Sequence, residues 1–102
     1  MKEKIESVVN INLYVLKLYV TGMSLGSTKA IANIKAICEE YLTDNYDLEI
    51  IDIHKFPHSM YDNDIIASPT LIKKSPAPVK KLIGDLSDRA KVLKVLSIRA
   101  EK

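Results

Sequence analysis

Apolar positions along this chain follow two rhythms, and the change from one to the other marks the elements. Residues 11–20, INLYVLKLYV, set Tyr14, Val15, Leu16, Leu18, Tyr19 and Val20 almost without polar interruption. A run that is apolar on both faces suits a central strand covered from both sides. From Ala30 the spacing becomes three and four, through Ile31, Ile34, Ile37, Cys38, Tyr41 and Leu42. That is the stripe of an amphipathic helix, with Ser24 or Ser27 as its N-cap. YDLEIIDI, residues 46–53, alternates in part and is rich in isoleucine, which reads as a second strand. PHSMYDNDIIA, residues 57–67, is short and mixed, a weak helix or loop. PTLIKK and PVKKLIG, residues 69–74 and 78–84, are two short strands around a Pro-Ala-Pro turn. Residues 87–100 form a last helix that buries Val92, Leu93 and Leu96, with Asp88 in its first turn, where a negative charge suits the helix dipole.

A strand–helix–strand opening implies a parallel, right-handed crossover, and the last two strands form a hairpin. The resulting order, βαβαββα, is the thioredoxin-like α/β arrangement, a single domain over residues 12–102 behind a charged lead-in of residues 1–11.

Composition narrows the function classes. The chain has 102 residues and is 47% hydrophobic, enough for a core and unlike a disordered segment. The net charge of +2 implies no global electrostatic partner, but its distribution is uneven. From Glu39 to Asp64 there are eight acids and one lysine, and from Lys73 to Lys102 nine bases and three acids. No aromatic–basic interleaving accompanies the basic half, which argues against nucleic acid. The lead-in lacks the apolar core of a signal peptide, and no apolar run approaches the ~20 residues that span a membrane. The expected location is the cytoplasm.

The strand-to-helix loop, YVTGMSLGSTKA at residues 19–30, is where such folds keep their chemistry. A phosphate loop needs G-x-x-x-x-G-K-[ST]. Here Gly22 and Gly26 are one residue too close, and Lys29 follows the hydroxyls instead of preceding them. A redox loop needs a cysteine pair at the helix N-terminus, and this loop carries none. Cys38, the only cysteine, lies on the apolar helix face and reads as a buried structural residue. His54 and His58 are four apart, but Pro57 stands between them, so they do not share a helical face for a metal. Asp85 and Asp88 read as caps. No catalytic residue, metal or cofactor is expected.

A hairpin turning at Pro76-Ala77 sets Leu71 against Leu82, Ile72 against Lys81, Lys73 against Lys80 and Lys74 against Val79. Its base is apolar and its tip carries four lysines. Like charges opposed across strands are unfavourable. Lysine on an edge strand also resists edge-to-edge aggregation, so a solvated edge and an acidic docking partner are both open readings. Pro69 opens a strand, where its missing N–H is tolerated, and it is the candidate cis-proline.

The stretches YVLKLYVTG (14–22), IDI (51–53), ASPTLIKK (67–74), PAPVKKLIGDLSDR (76–89) and KVL (91–93) resemble the KaiB family of clock proteins, without a gap from about Tyr14 to Ile98. The resemblance implies a non-enzymatic regulator that binds a KaiC-like ATPase. It also implies a KaiA-like protein or a histidine kinase as possible further partners, self-association as a dimer or tetramer, and no nucleic acid or membrane. A stress-response or redox role on the same fold is the alternative. The family interconverts between the thioredoxin-like fold and a tetrameric ground fold, βαββααβ. The switching region would begin near Phe56 and include Pro76, Pro78, Gly84, Asp85, Val95 and Ser97. Clock-type members carry a glycine and an acid where this chain has Val95 and Ser97, and an acidic tail where it ends SIRAEK. Glycine costs a helix roughly 0.5–1 kcal/mol relative to alanine, so the thioredoxin-like form is expected here. The residues expected to touch a partner are Lys73, Lys74, Lys80, Lys81 and Arg89.

Overall fold

The computed structural model describes residues 13–55, 57–58 and 69–98. The expected lead-in and most of the weak second helix lie outside these residues. Within them the order is β1 (Tyr14–Val20), α1 (Leu25–Tyr41), β2 (Tyr46–Asp52), β3 (Thr70–Ser75), β4 (Lys80–Ile83) and α2 (Arg89–Leu96). The four strands form one sheet in the order β2-β1-β3-β4. β1 and β2 are parallel. β3 runs antiparallel to β1, and β4 antiparallel to β3.

Alternation along each strand sorts side chains between the two faces. Leu16, Leu18 and Val20 of β1, with Leu71 of β3, meet Ala30, Ile34, Ile37 and Cys38 of α1 and Val92, Leu93 and Leu96 of α2. Both helices therefore cover the same face. The other face carries a smaller cluster of Tyr19, Ile51, Ile53 and Ile72. The continuous apolar run of β1 is thus explained: its even positions serve one cluster and Tyr19 the other.

The local signals explain the element ends. Ser24 caps α1, its Oγ accepting from the Ser27 amide at 3.2 Å. Asp88 stands one residue outside the expected first turn of α2, as its N-cap, and its carboxylate accepts from the Lys91 amide at 3.2 Å. The last helix is shorter than the expected 87–100. Ser97 adopts a left-handed φ of 61°, and the amides of Ser97 and Ile98 turn back onto the last-turn carbonyls, the usual way a helix stops. The Tyr14 hydroxyl donates to the Leu96 carbonyl at 2.8 Å, tying the start of β1 to the end of α2. No described helix is long and apolar enough to cross a membrane.

Candidate functional site

The β1–α1 junction is a turn held by hydrogen bonds to hydroxyls and one carboxylate. Gly22 takes a φ of 55°, a conformation that glycine adopts at little cost. Its amide donates to Asp52 Oδ1 at 3.3 Å, and the His54 amide donates to the same oxygen at 2.9 Å. These amides, His54 foremost, hold the Asp52 carboxyl below the usual carboxylate range. Ser27 is fully buried; its Oγ accepts from the Thr21 amide at 3.0 Å and from the Ser24 hydroxyl at 2.9 Å. Every hydroxyl named here serves the turn itself. The apolar side chains of the junction point out: Met23 is 87% and Leu25 72% exposed. Gly26 faces Pro69, whose Cδ would lie 3.7 Å from a Cβ added to the glycine. No local sequence pattern encodes this approach, because it depends on how β3 meets the first turn of α1. The bond before Pro69 begins at Ser68, outside the described residues. The described cis bonds are Ser75-Pro76 and Ala77-Pro78, at the hairpin tip.

Cys38 is buried. Burial, with Glu39 beside it, pushes the thiol up to about 11. Burial and the raised value both disfavour the thiolate at neutral pH, the form that acts as nucleophile and metal ligand. His54 and His58 are exposed. Among the described residues, no group of three His, Cys, Asp or Glu side chains is placed to hold a metal ion.

The β3–β4 hairpin has the expected register: Leu71 opposite Leu82, Ile72 opposite Lys81 and Lys73 opposite Lys80. The four lysines nevertheless divide. Lys73 shares the helix-covered face with Leu71 and is completely buried, and its ammonium donates to the Pro76 carbonyl at 2.8 Å. Burial, with Lys80 opposite, pulls that ammonium below its ordinary value. Lys73 therefore belongs to the inside of the hairpin, which corrects its expected place on a partner surface. Lys74 is half-buried, while Lys80 and Lys81 are exposed. Val79 and Ile83 bracket these two with exposed apolar surface. Arg89 lies apart from this cluster. Its Nη1 pairs with Glu40 Oε1 at 2.6 Å, and the guanidinium stands 5.8 Å over the Tyr41 ring. Gly84 closes the hairpin base, its amide donating to the Pro69 carbonyl at 2.9 Å. Asp85 accepts from the Ser87 amide at 3.0 Å through its carboxylate and from Asn33 of α1 through its carbonyl at 2.9 Å. Asp85 and Asp88 are thus turn and cap residues.

The frame is that of a thioredoxin-like protein whose β1–α1 junction holds no thiol. Solved structures agree at the level of fold. A thioredoxin from Fasciola hepatica superposes with a TM-score of 0.70 at 10% identity, covering 94% of this chain and 91% of that one. The N-terminal domain of SasA from Synechococcus elongatus gives 0.69 at 20% identity, covering 89% and 90%. Within that class the sequence is specific. The KaiB domain model matches residues 17–98, and the chain belongs to the KaiB family. Its relatives include the circadian clock protein KaiB3 of Synechocystis sp., 46% identical over 93 residues, or 91% of each chain. The circadian clock oscillator protein KaiB of Gloeothece citriformis is 49% identical over 80 residues, covering 78% of this chain and 76% of that one.

Proposed function

We propose that this chain is a non-enzymatic regulatory module that binds a KaiC-like ATPase, with Lys80 and Lys81 of the outer strand β4 in the contact and Lys74 beside them. The observation that carries the reading is the pairing of a KaiB-family sequence with a thioredoxin-like frame whose junction presents Met23 and Leu25 where a dithiol would stand. A surface of that kind binds and does not turn over. Two exposed lysines flanked by exposed Val79 and Ile83 suit an acidic partner surface with an apolar centre. Arg89, held by Glu40 and Tyr41, contributes mainly to the α1–α2 junction. A KaiA-like protein or a histidine kinase fits the same reading as a further partner, and the cytoplasm is the compartment it requires. Against the redox alternative stands Cys38, buried and with its thiol pushed up to about 11.

The test is a calorimetric titration against the cognate KaiC-like protein, incubated long enough for slow conformational exchange. The double variant Lys80→Glu, Lys81→Glu should bind at least about tenfold more weakly, and the native affinity should fall as salt is added. Equal affinities for the two proteins would remove β4 from the interface.

A further inference from the structure

The two helices meet through charges that neither helix, taken alone, would place where they are. The last turn of α1 carries Glu39 and Glu40 and no base. Acids there oppose the helix dipole, whose C-terminal end favours a cation. The first turn of α2 carries no acid and opens on Arg89, a cation at the end that favours an anion. One contact resolves both conflicts. Arg89 reaches across to α1, where its Nη1 lies 2.6 Å from Glu40 Oε1 and its guanidinium stands 5.8 Å over the Tyr41 ring. The positive charge of α2 is thereby spent on the end of α1.

We infer that Arg89 is an interhelical latch: it lends α1 the C-terminal cation which that helix lacks, and so ties the docking of α2 to the last turn of α1. α2 is the element on which such a tie acts most. It has eight residues, too few to persist as an isolated helix. Apart from the latch it is held by the packing of Val92, Leu93 and Leu96 and, at its far end, by the Tyr14 bond to the Leu96 carbonyl. Cys38, the only cysteine of the chain, is fully buried in the same cluster as those three side chains. When α2 lifts, the face of α1 that bears Cys38 is uncovered, so the thiol reports on the latch. The ion pair itself is half exposed, 46% at Arg89 and 54% at Glu40. Salt therefore reaches it, and the latch loosens as ionic strength rises.

The rate at which a thiol reagent labels Cys38 in the folded chain tests this, with circular dichroism confirming that each variant folds. Where closing outpaces labelling, that rate measures the open population. For the native chain it should change little with low concentrations of urea, because lifting one short helix exposes little surface. Arg89→Gln should label at least about fivefold faster, the size expected for a lost ion pair and ring contact. Charge and dipole within α2 alone predict the opposite sign, since removing a cation from the first turn stabilises that helix. Added salt should speed labelling of the native chain and leave Arg89→Gln unchanged. Arg89→Glu and Glu40→Arg each set like charges together, and each should label faster than native. The double variant restores the pair and should return to within about twofold of the native rate. Labelling in Arg89→Gln that equals or falls below native overturns the inference. So does a double variant in which the two single effects add, or native labelling that follows global unfolding with its full urea dependence.

Discussion

The ammonium of Lys73 donates to the carbonyl oxygen of Pro76 at 2.8 Å, across the tip of its own hairpin. No other lysine at the tip is buried like this: Lys73 is fully covered, and its stem lies on the face where Leu16 and Leu71 pack. Its role is to hold the tip in shape, so that Lys80 and Lys81 are presented on a fixed strand.

Substitutions at Lys73 should separate its stem from its charge. Lys73→Ala removes the buried methylenes and leaves the Pro76 carbonyl without its donor. Together these should cost about 2–4 kcal/mol of unfolding free energy. Lys73→Met keeps the stem and also discards a buried cation that has like charge opposite. Its loss should be smaller, about 1 kcal/mol. Urea unfolding of the three proteins reads both values. An alanine variant within a few tenths of a kcal/mol of native would mean that the side chain is not part of the core.

Cys38 gives stability a dependence on alkaline pH. Its thiol is pushed from the ordinary 9.0 up to about 11 in the fold. Between those values the unfolded chain loses its proton while the folded chain keeps it. The unfolded state is then favoured, so the contribution of this thiol to stability declines from pH 9.0 to about 11 and changes no further above. One pKa unit is worth about 1.4 kcal/mol, so the decline attributable to this thiol is on the order of 2 kcal/mol. Thermal unfolding across this range should show a steeper fall for the native chain than for Cys38→Ala. Parallel curves would refute the assignment. In the same native protein, reaction of the thiol with an alkylating reagent at neutral pH should be far slower than that of free cysteine.

Much of this architecture is legible in the sequence where a single periodicity decides the outcome. The three-and-four spacing from Ala30 to Leu42 marks α1, and the Pro-Ala-Pro turn sets the hairpin register residue for residue. The fate of Lys73 was legible too. It lies two residues from Leu71, so period-2 alternation puts both on one face. Charge suggested a surface position, but the inward direction of the strand prevailed. Other features depend on tertiary contact. The clamp of Arg89 on Glu40 and Tyr41 joins residues 49 and 48 positions apart in the chain. The approach of Pro69 to Gly26 and the placing of Asp52 beneath Gly22 likewise join separate segments. No local pattern encodes these. The end of α2 at Leu96 is not legible in the sequence, because serine carries no strong stop signal and the left-handed φ of Ser97 goes with the capping bonds to the last turn.

Val95 lies in the last turn of α2, half-buried, between the core residues Leu93 and Leu96. The family resemblance places a glycine of clock-type relatives at this point, and Val95→Gly recreates it. The backbone term alone is small, because valine is itself a modest helix former and lies only a few tenths of a kcal/mol better than glycine. The larger loss is the half-buried isopropyl group, worth about 1 kcal/mol at the usual area coefficient. The sum, about 1–2 kcal/mol, falls on an eight-residue helix that depends on packing rather than on its own propensity. Opening should therefore be local before it is global. Amide exchange in Arg89–Leu96 should accelerate at least about tenfold while the amides of β1 and β3 keep most of their protection. The Tyr14 hydroxyl, which donates to the Leu96 carbonyl, should lose that partner in the opened form. If exchange in α2 and in the central strands accelerates equally, α2 is part of the global unfolding unit, and glycine at this position would not by itself release the C-terminal segment for refolding.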